Sequence, residues 1–286
     1  MMISNYVTVL DRELHYTEWG AGNRETIVMW HGLARTGRDF DDIAAALSDR
    51  YRVLCPDTIG RGLSQWSPAP EIEYSVGFYT RLATAFVDAL GVGTMRWLGT
   101  SMGAMIGTAA AAGPLKGRIS HLVLNDMGPK IGDAALARIC AYAGNPAQFD
   151  RVSELEAYFR SIYKPFGPLT DAQWRRLAET SVRRTDSGRV TPHYDPKIVM
   201  MFDHEAELVQ WDFWDALECR ALCLRGADSD LLLPETAAEM ERRGPRARVV
   251  TYPGIGHAPA LNVPEQIGLV AEFRRLSWGA RPPSAN

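Results

Sequence analysis

The sequence predicts an α/β protein: a mostly parallel sheet flanked by helices, with an inserted helical cap. Three observations lead there. Short runs rich in β-branched and aromatic residues alternate with helical patterns along most of the 286 residues. That alternation breaks once, over residues 129–210, where the strand signal largely disappears. The composition, 46% hydrophobic and 23% charged, is that of an ordinary globular chain and excludes disordered, collagen-like and coiled-coil classes. A chain of this length buries about three quarters of its surface on folding, enough for a large core without staples.

The elements follow in order. Residues 6–10 and 14–19 form an antiparallel hairpin joined at Asp11 and Arg12. Strands at 26–30, 52–55, 95–98, 121–124, 221–224 and 249–252 then alternate with helices at 40–47, 76–90, 102–112, 234–242 and 264–276. This order predicts parallel strands covered on both faces. Segment 129–210, helical with Gly and Pro punctuation, is too long for a structureless connection. It leaves a strand, so it is expected to roof the crevice outside the strands' carboxyl ends. The expected division is a core of 1–128 and 211–278, a cap of 129–210 and a tail of 279–286.

Several classes drop out. The net charge is −3 with no block of like charges, so nucleic acid is not an expected partner. The N-terminus lacks a basic region followed by an apolar one, so the expected compartment is the cytoplasm. Residues 97–115 carry no charge and are long enough to span a bilayer. They are mostly Gly, Ala and Thr, however, and read as a small-residue helix buried against the sheet rather than a membrane segment. The cysteines, Cys55, Cys140, Cys219 and Cys223, are too few and irregular for a disulfide framework. No HExxH, CxxC or GxxxxGK[ST] is present, so neither a metal nor an organic cofactor is expected.

The chemistry concentrates at Gly99, Thr100, Ser101, Met102 and Gly103, a GxSxG directly after the apolar run RWL and directly before a small-residue helix. A serine on so sharp a strand-to-helix turn needs glycine on both sides, where a Cβ would clash, and it exposes its hydroxyl as a nucleophile. A base must take the hydroxyl proton. Of six histidines, His257 in PGIGHAP is best placed, beyond the last strand and on the same crevice as Ser101. The base needs a carboxylate to orient it. Asp230 in RGADSDLLLP is the expected orienter, with Asp228 and Asp126 left as alternatives. The oxyanion donors are the backbone N–H groups of Met102, after the nucleophile, and Leu33, in the loop WHGLART. His31, Gly32 and Arg35 of that loop are placed beside the substrate, Arg35 either meeting a substrate carboxylate or ion-paired within the protein. The insertion offers the aromatics Tyr158, Phe159, Tyr163, Phe166, Trp174 and Tyr194, with Trp211, Phe213 and Trp214 at its return; Trp174, Trp211 and Trp214 are the candidates placed beside the substrate.

Over about residues 6–277 the chain resembles the α/β-hydrolase superfamily. Besides the GxSxG, His31 and Gly32 resemble the superfamily's HG oxyanion loop, and Asp57, Gly60, Gly62 and Ser64 its DxxGxGxS turn. Asp230 and Pro234 resemble the acid loop, Gly256 and His257 the base loop, and the order Ser101, Asp230, His257 matches the superfamily's. Serine at 101 sets the chain apart from the epoxide hydrolases and haloalkane dehalogenases of this fold, which use aspartate. The absence of HGGG separates it from lipases that carry that loop. The resemblance implies a serine hydrolase of carboxylic esters or lactones working through an acyl-enzyme. Alternatives on the same triad are carbon–carbon bond hydrolysis and peroxyacid formation; outside catalysis, the alternative is a ligand-binding protein that barely turns over. Over residues 131–205 ten basic residues face ten acidic ones, so a small or medium apolar ester is the default substrate.

Overall fold

A computed structural model describes residues 1–275; residues 276–286, including the expected tail and the last position of the expected C-terminal helix, lie outside the described residues. The order is β1 (Met2–Val9), β2 (Arg12–Trp19), β3 (Glu25–Trp30), α1 (Asp41–Leu47), β4 (Tyr51–Pro56), α2 (Pro70–Glu73), α3 (Val76–Ala89), β5 (Met95–Thr100), α4 (Met102–Ala112) and β6 (Ile119–Asn125). Then come α5 (Asp133–Ala143), α6 (Val152–Ile162), α7 (Asp171–Thr180), β7 (Val182–Arg184), β8 (Val190–Pro192) and α8 (Trp211–Asp215). The chain closes with β9 (Arg220–Gly226), α9 (Pro234–Met240), β10 (Arg248–Tyr252) and α10 (Pro264–Arg275).

Eight strands form one sheet in the order β1-β2-β4-β3-β5-β6-β9-β10. The first two pairings, β1 with β2 and β2 with β4, are antiparallel; every later one is parallel. The opening hairpin pairs Val9 with Arg12, so its turn is Leu10 and Asp11 rather than Asp11 and Arg12. Both turn residues have positive φ, the type I′ geometry whose twist matches that of the strands. In β3 the alternation sends Val28 and Trp30 into one apolar layer and Ile27 and Met29 into the other. The sheet is therefore buried on both faces, α3 and α4 contributing to the first layer and α1 and α10 to the second. The uncharged stretch 97–115 divides between β5, a turn and α4, packed in this core. Among the described residues no helix is long and apolar enough to cross a membrane. The four cysteines are free thiols.

The insertion between β6 and β9 is helical over α5 to α7 but also carries the short antiparallel β7–β8 hairpin, which the sequence reading missed. Three-residue strands are too short for a period-two pattern to register. Part of the insertion has its own small core, Leu155, Phe159, Trp174 and Val190 among its members, while α5 packs Ala135 and Ile139 into the main one. The insertion's two ends meet where the Gln210 N–H donates to the Pro129 carbonyl at 2.8 Å.

Candidate active site

At the end of β5 the chain turns through Ser101 at φ 52°, ψ −117° and enters α4 at once. Steric demand explains the neighbouring glycines. A Cβ on Gly99 would lie 2.2 Å from the Gly103 carbonyl carbon, and one on Gly103 would lie 1.9 Å from the Trp30 oxygen. Gly107 has the same role one helical turn on, 2.3 Å from the Trp97 indole nitrogen, so α4 rests directly on the sheet. The Ser101 N–H is tied to the Asn125 carbonyl at 3.1 Å, and the residue is 8% exposed.

His257 follows β10 in a loop held from three sides. Gly256 N–H donates to the Pro165 carbonyl at 2.8 Å, Ala260 N–H to the Phe166 carbonyl at 3.1 Å, and the Asn125 amide to the Pro259 carbonyl at 2.9 Å. The His257 Nδ1–H donates to Asp126 Oδ2 at 2.7 Å; a carboxylate only accepts, so this bond sets the tautomer and leaves Nε2 free to take a proton. Asp126 directly follows β6, is fully buried and holds the left-handed φ of 54°. Its Oδ1 accepts from the Gly226 N–H at 2.9 Å and its Oδ2 also accepts from the Ser229 hydroxyl at 2.5 Å.

The expected orienter, Asp230, is not in this arrangement. Its side chain is 46% exposed and forms a two-pronged pair with Arg138 of α5, at 2.9 and 2.8 Å. Asp228 is exposed as well. The loop after β9 instead turns Ser229 inward, where its hydroxyl donates to Asp126 and accepts from the Leu231 and Leu232 N–H groups at 3.2 Å each. Because β6 and β9 are adjacent strands, both of their C-terminal ends can approach His257, and the β6 end supplies the carboxylate.

The loop after β3 makes a turn closed by Arg35 N–H to the Gly32 carbonyl at 3.2 Å. Leu33 and Met102 both line the cavity that contains Ser101. Among the described residues neither of their N–H groups has a protein partner, as an oxyanion site requires. Gly32 lies beside the nucleophile: a Cβ there would sit 3.6 Å from the Ser101 Cβ. His31 does not reach the cavity, contrary to expectation. Its Nδ1–H donates to the Gly32 carbonyl at 2.6 Å and its Nε2 accepts from the Thr58 N–H at 2.9 Å. Burial lowers its pKa to about 4, so it is a neutral pin between the oxyanion loop and the turn after β4. Asp57 anchors that turn by accepting from Gly37 N–H at 2.7 Å, Leu63 N–H at 3.0 Å and His15 at 2.8 Å. Burial opposes its charge, but the His15 bond leads the contacts that hold its pKa below the usual carboxylate value.

The cavity, about 350 Å³, lies between the strand ends and the insertion and contains Ser101 and His257 together. Arg35 lines it but is paired to Asp39 at 2.9 and 2.6 Å, with its guanidinium over the rings of Tyr163 and Phe159. Burial opposes that charge; Asp39 and Tyr163 nonetheless hold the pKa above the ordinary arginine value. None of the three tryptophans lines the cavity. Trp174 fills the insertion's own core, Trp214 is buried with its indole N–H on the Arg243 carbonyl at 3.0 Å, and Trp211 lies under the Arg243 guanidinium. The walls are made by Tyr142, Tyr158, Ile162, Tyr163 and Phe166 of the insertion with Met105, Met127 and Leu231 of the core. The wall is thus amphipathic, and tyrosine and phenylalanine rings rather than indoles supply its aromatic part.

The sequence profile of the alpha/beta hydrolase family matches residues 27–267, a span that contains the turn at Ser101, Asp126 and His257. The chain belongs to this family. As an alpha/beta hydrolase it is 41% identical over 269 residues to the 3-hydroxybutyrate-oligomer hydrolase of Cupriavidus necator, covering 90% of this chain and 91% of that protein. In structure it is similar to an alpha/beta hydrolase from Novosphingobium aromaticivorans, with a TM-score of 0.84 at 34% identity over 95% of this chain and 97% of the other. A Rickettsia typhi protein gives a TM-score of 0.88 at 28% identity, covering 97% and 100% of the two chains.

Proposed function

We propose that the chain is a serine hydrolase of carboxylic esters, with Ser101 as nucleophile, His257 as base and Asp126 as its orienter. The observation that carries this reading is the joint placement of a strained, glycine-flanked serine and a carboxylate-backed histidine in one cavity. Ser101 Oγ attacks the ester carbonyl carbon while its proton passes to His257 Nε2. The oxyanion accepts from the Leu33 and Met102 N–H groups. Collapse breaks the C–O bond, and the alcohol leaves with the proton from His257. Water, deprotonated by the same imidazole, then attacks the acyl-serine; the acid departs and Ser101 Oγ recovers its proton.

For the substrate we infer a short oligomeric ester of a small hydroxy acid, from the likeness to the Cupriavidus protein along nearly the whole of both chains. A cavity of about 350 Å³ with tyrosines and aliphatic side chains in its wall suits a few such units. The test is hydrolysis of 3-hydroxybutyrate dimer and trimer, compared with an aryl ester and a vinylogous diketone, by wild type and by Ser101→Ala. Cleavage of the oligomers with a loss of about 10⁴- to 10⁶-fold in kcat on Ser101→Ala is expected. Full activity in that variant would remove the mechanism, and cleavage of the diketone alone would replace the reaction class.

A further inference from the structure

Arg61 is a large charged side chain in the core, with no solvent exposure. Among the described residues no carboxylate pairs with it directly. Its partners are instead a ring of neutral acceptors. Nε donates to the Leu33 carbonyl at 2.8 Å, Nη1 to the Ile59 carbonyl at 2.8 Å and the Tyr79 hydroxyl at 2.6 Å, and Nη2 to Met102 Sδ at 3.4 Å. The rings of Tyr74 and Tyr79 lie 5.5 and 5.0 Å from the guanidinium carbon. The carboxylate of Asp195, from the insertion, reaches this group through the Tyr74 hydroxyl, which donates to it at 2.8 Å. A buried cation of this kind is costly, and an apolar side chain of similar volume commonly serves stability as well or better.

The two ends of this network are informative. Leu33 and Met102 are far apart in sequence and belong to different elements, yet one rigid guanidinium fork holds both. These are the two residues to which the proposed mechanism assigns the oxyanion donors. We propose that Arg61 is the positioning residue of the oxyanion hole: through the Leu33 carbonyl and the Met102 side chain it holds the two donor-bearing residues together and keeps a positive charge behind them. This rests on the reading of Ser101 as nucleophile with Leu33 and Met102 as donors. Arg61 does not line the cavity and touches no reacting atom; it acts through the loop and the helix start. Such preorganisation matters in the transition state, where the oxyanion exists, and little in the ground state.

The test compares wild type with Arg61→Met and Arg61→Lys on an aryl ester, with active sites titrated by a fluorophosphonate. Removing one oxyanion donor outright costs about 10²- to 10³-fold; loosening the two residues that bear the donors is expected to lower kcat per titrated site by about 10- to 100-fold in Arg61→Met. KM should stay within about twofold, and the affinity for phenylboronic acid, which forms a tetrahedral adduct, should fall by about the same factor as kcat/KM. The melting temperature should be unchanged or higher. A merely structural role gives the opposite: a lower melting temperature with kcat per site unchanged, which overturns the proposal. If Arg61→Met does not fold, Arg61→Lys decides. It keeps the charge without the fork and should lose about tenfold in kcat; wild-type kcat per site in that variant overturns the proposal equally. An active Ser101→Ala protein would instead defeat the underlying reading, so the two failures are distinguishable.

Discussion

The C-terminal ends of β6 and β9 make an instructive pair. They are parallel neighbours, the first followed by Asp126 and the second by Asp228 and Asp230, and both look toward the same crevice. Asp126, after β6, is fully buried and accepts from a backbone N–H, a serine hydroxyl and an imidazole. Asp230, after β9, is about half exposed and bound to an equally exposed arginine. A carboxylate that must hold an imidazole in one tautomer and stabilise its cation needs fixed donors and exclusion of water, and only the first site provides both. The second region still contributes, through the Gly226 N–H and the Ser229 hydroxyl that aim the Asp126 carboxylate. The acid and its supports are thus divided between two strand ends.

The sharpest way to break this comparison is to exchange one carboxylate for an amide at each position. Asp126→Asn should lower kcat by about 10⁴-fold, measured under saturating ester, because the amide favours the wrong tautomer of His257. A comparable contrast separates the histidines. His31, buried and neutral with a pKa near 4 against 6.5 when unfolded, refuses a proton that the unfolded chain accepts. Its contribution to stability is therefore complete above about pH 6.5 and is lost as pH falls toward 4, by roughly 3 kcal/mol in all. Denaturant unfolding across that window should show a shallower pH slope for His31→Gln than for wild type. Ser229→Ala removes one donor to a buried carboxylate and should cost about 1.5–3 kcal/mol in the same kind of measurement. The smallest effect belongs to Asp230→Asn, which should change stability by about 1 kcal/mol or less and kcat by less than about threefold.

Much of this was legible in the residues. The turn at Ser101 is announced by GTSMG between an apolar strand and a helix of small residues, because close packing permits nothing larger at 99, 103 and 107. His257 is legible as the histidine beyond the last strand. The choice among the aspartates was not legible, since it depends on β6 lying beside β9 and on Asp126 adopting a left-handed backbone, and neither is written in a local pattern. The cavity wall was misread for a related reason. Whether an indole faces a cavity or a core depends on what packs on its other side: Arg160 over Trp174, and Arg243 over Trp211. His31 resembles a site residue because it sits in the oxyanion loop, yet its two ring nitrogens are both committed to backbone groups.

The Nδ1 proton of His257 lies in the hydrogen bond to Asp126. Proton NMR of histidine-labelled protein observes that proton directly, as a low-field resonance assigned by its loss in His257→Gln. The resonance is expected to persist in Asp230→Asn and to disappear or move far upfield in Asp126→Asn. Persistence in Asp126→Asn together with loss in Asp230→Asn would contradict that placement.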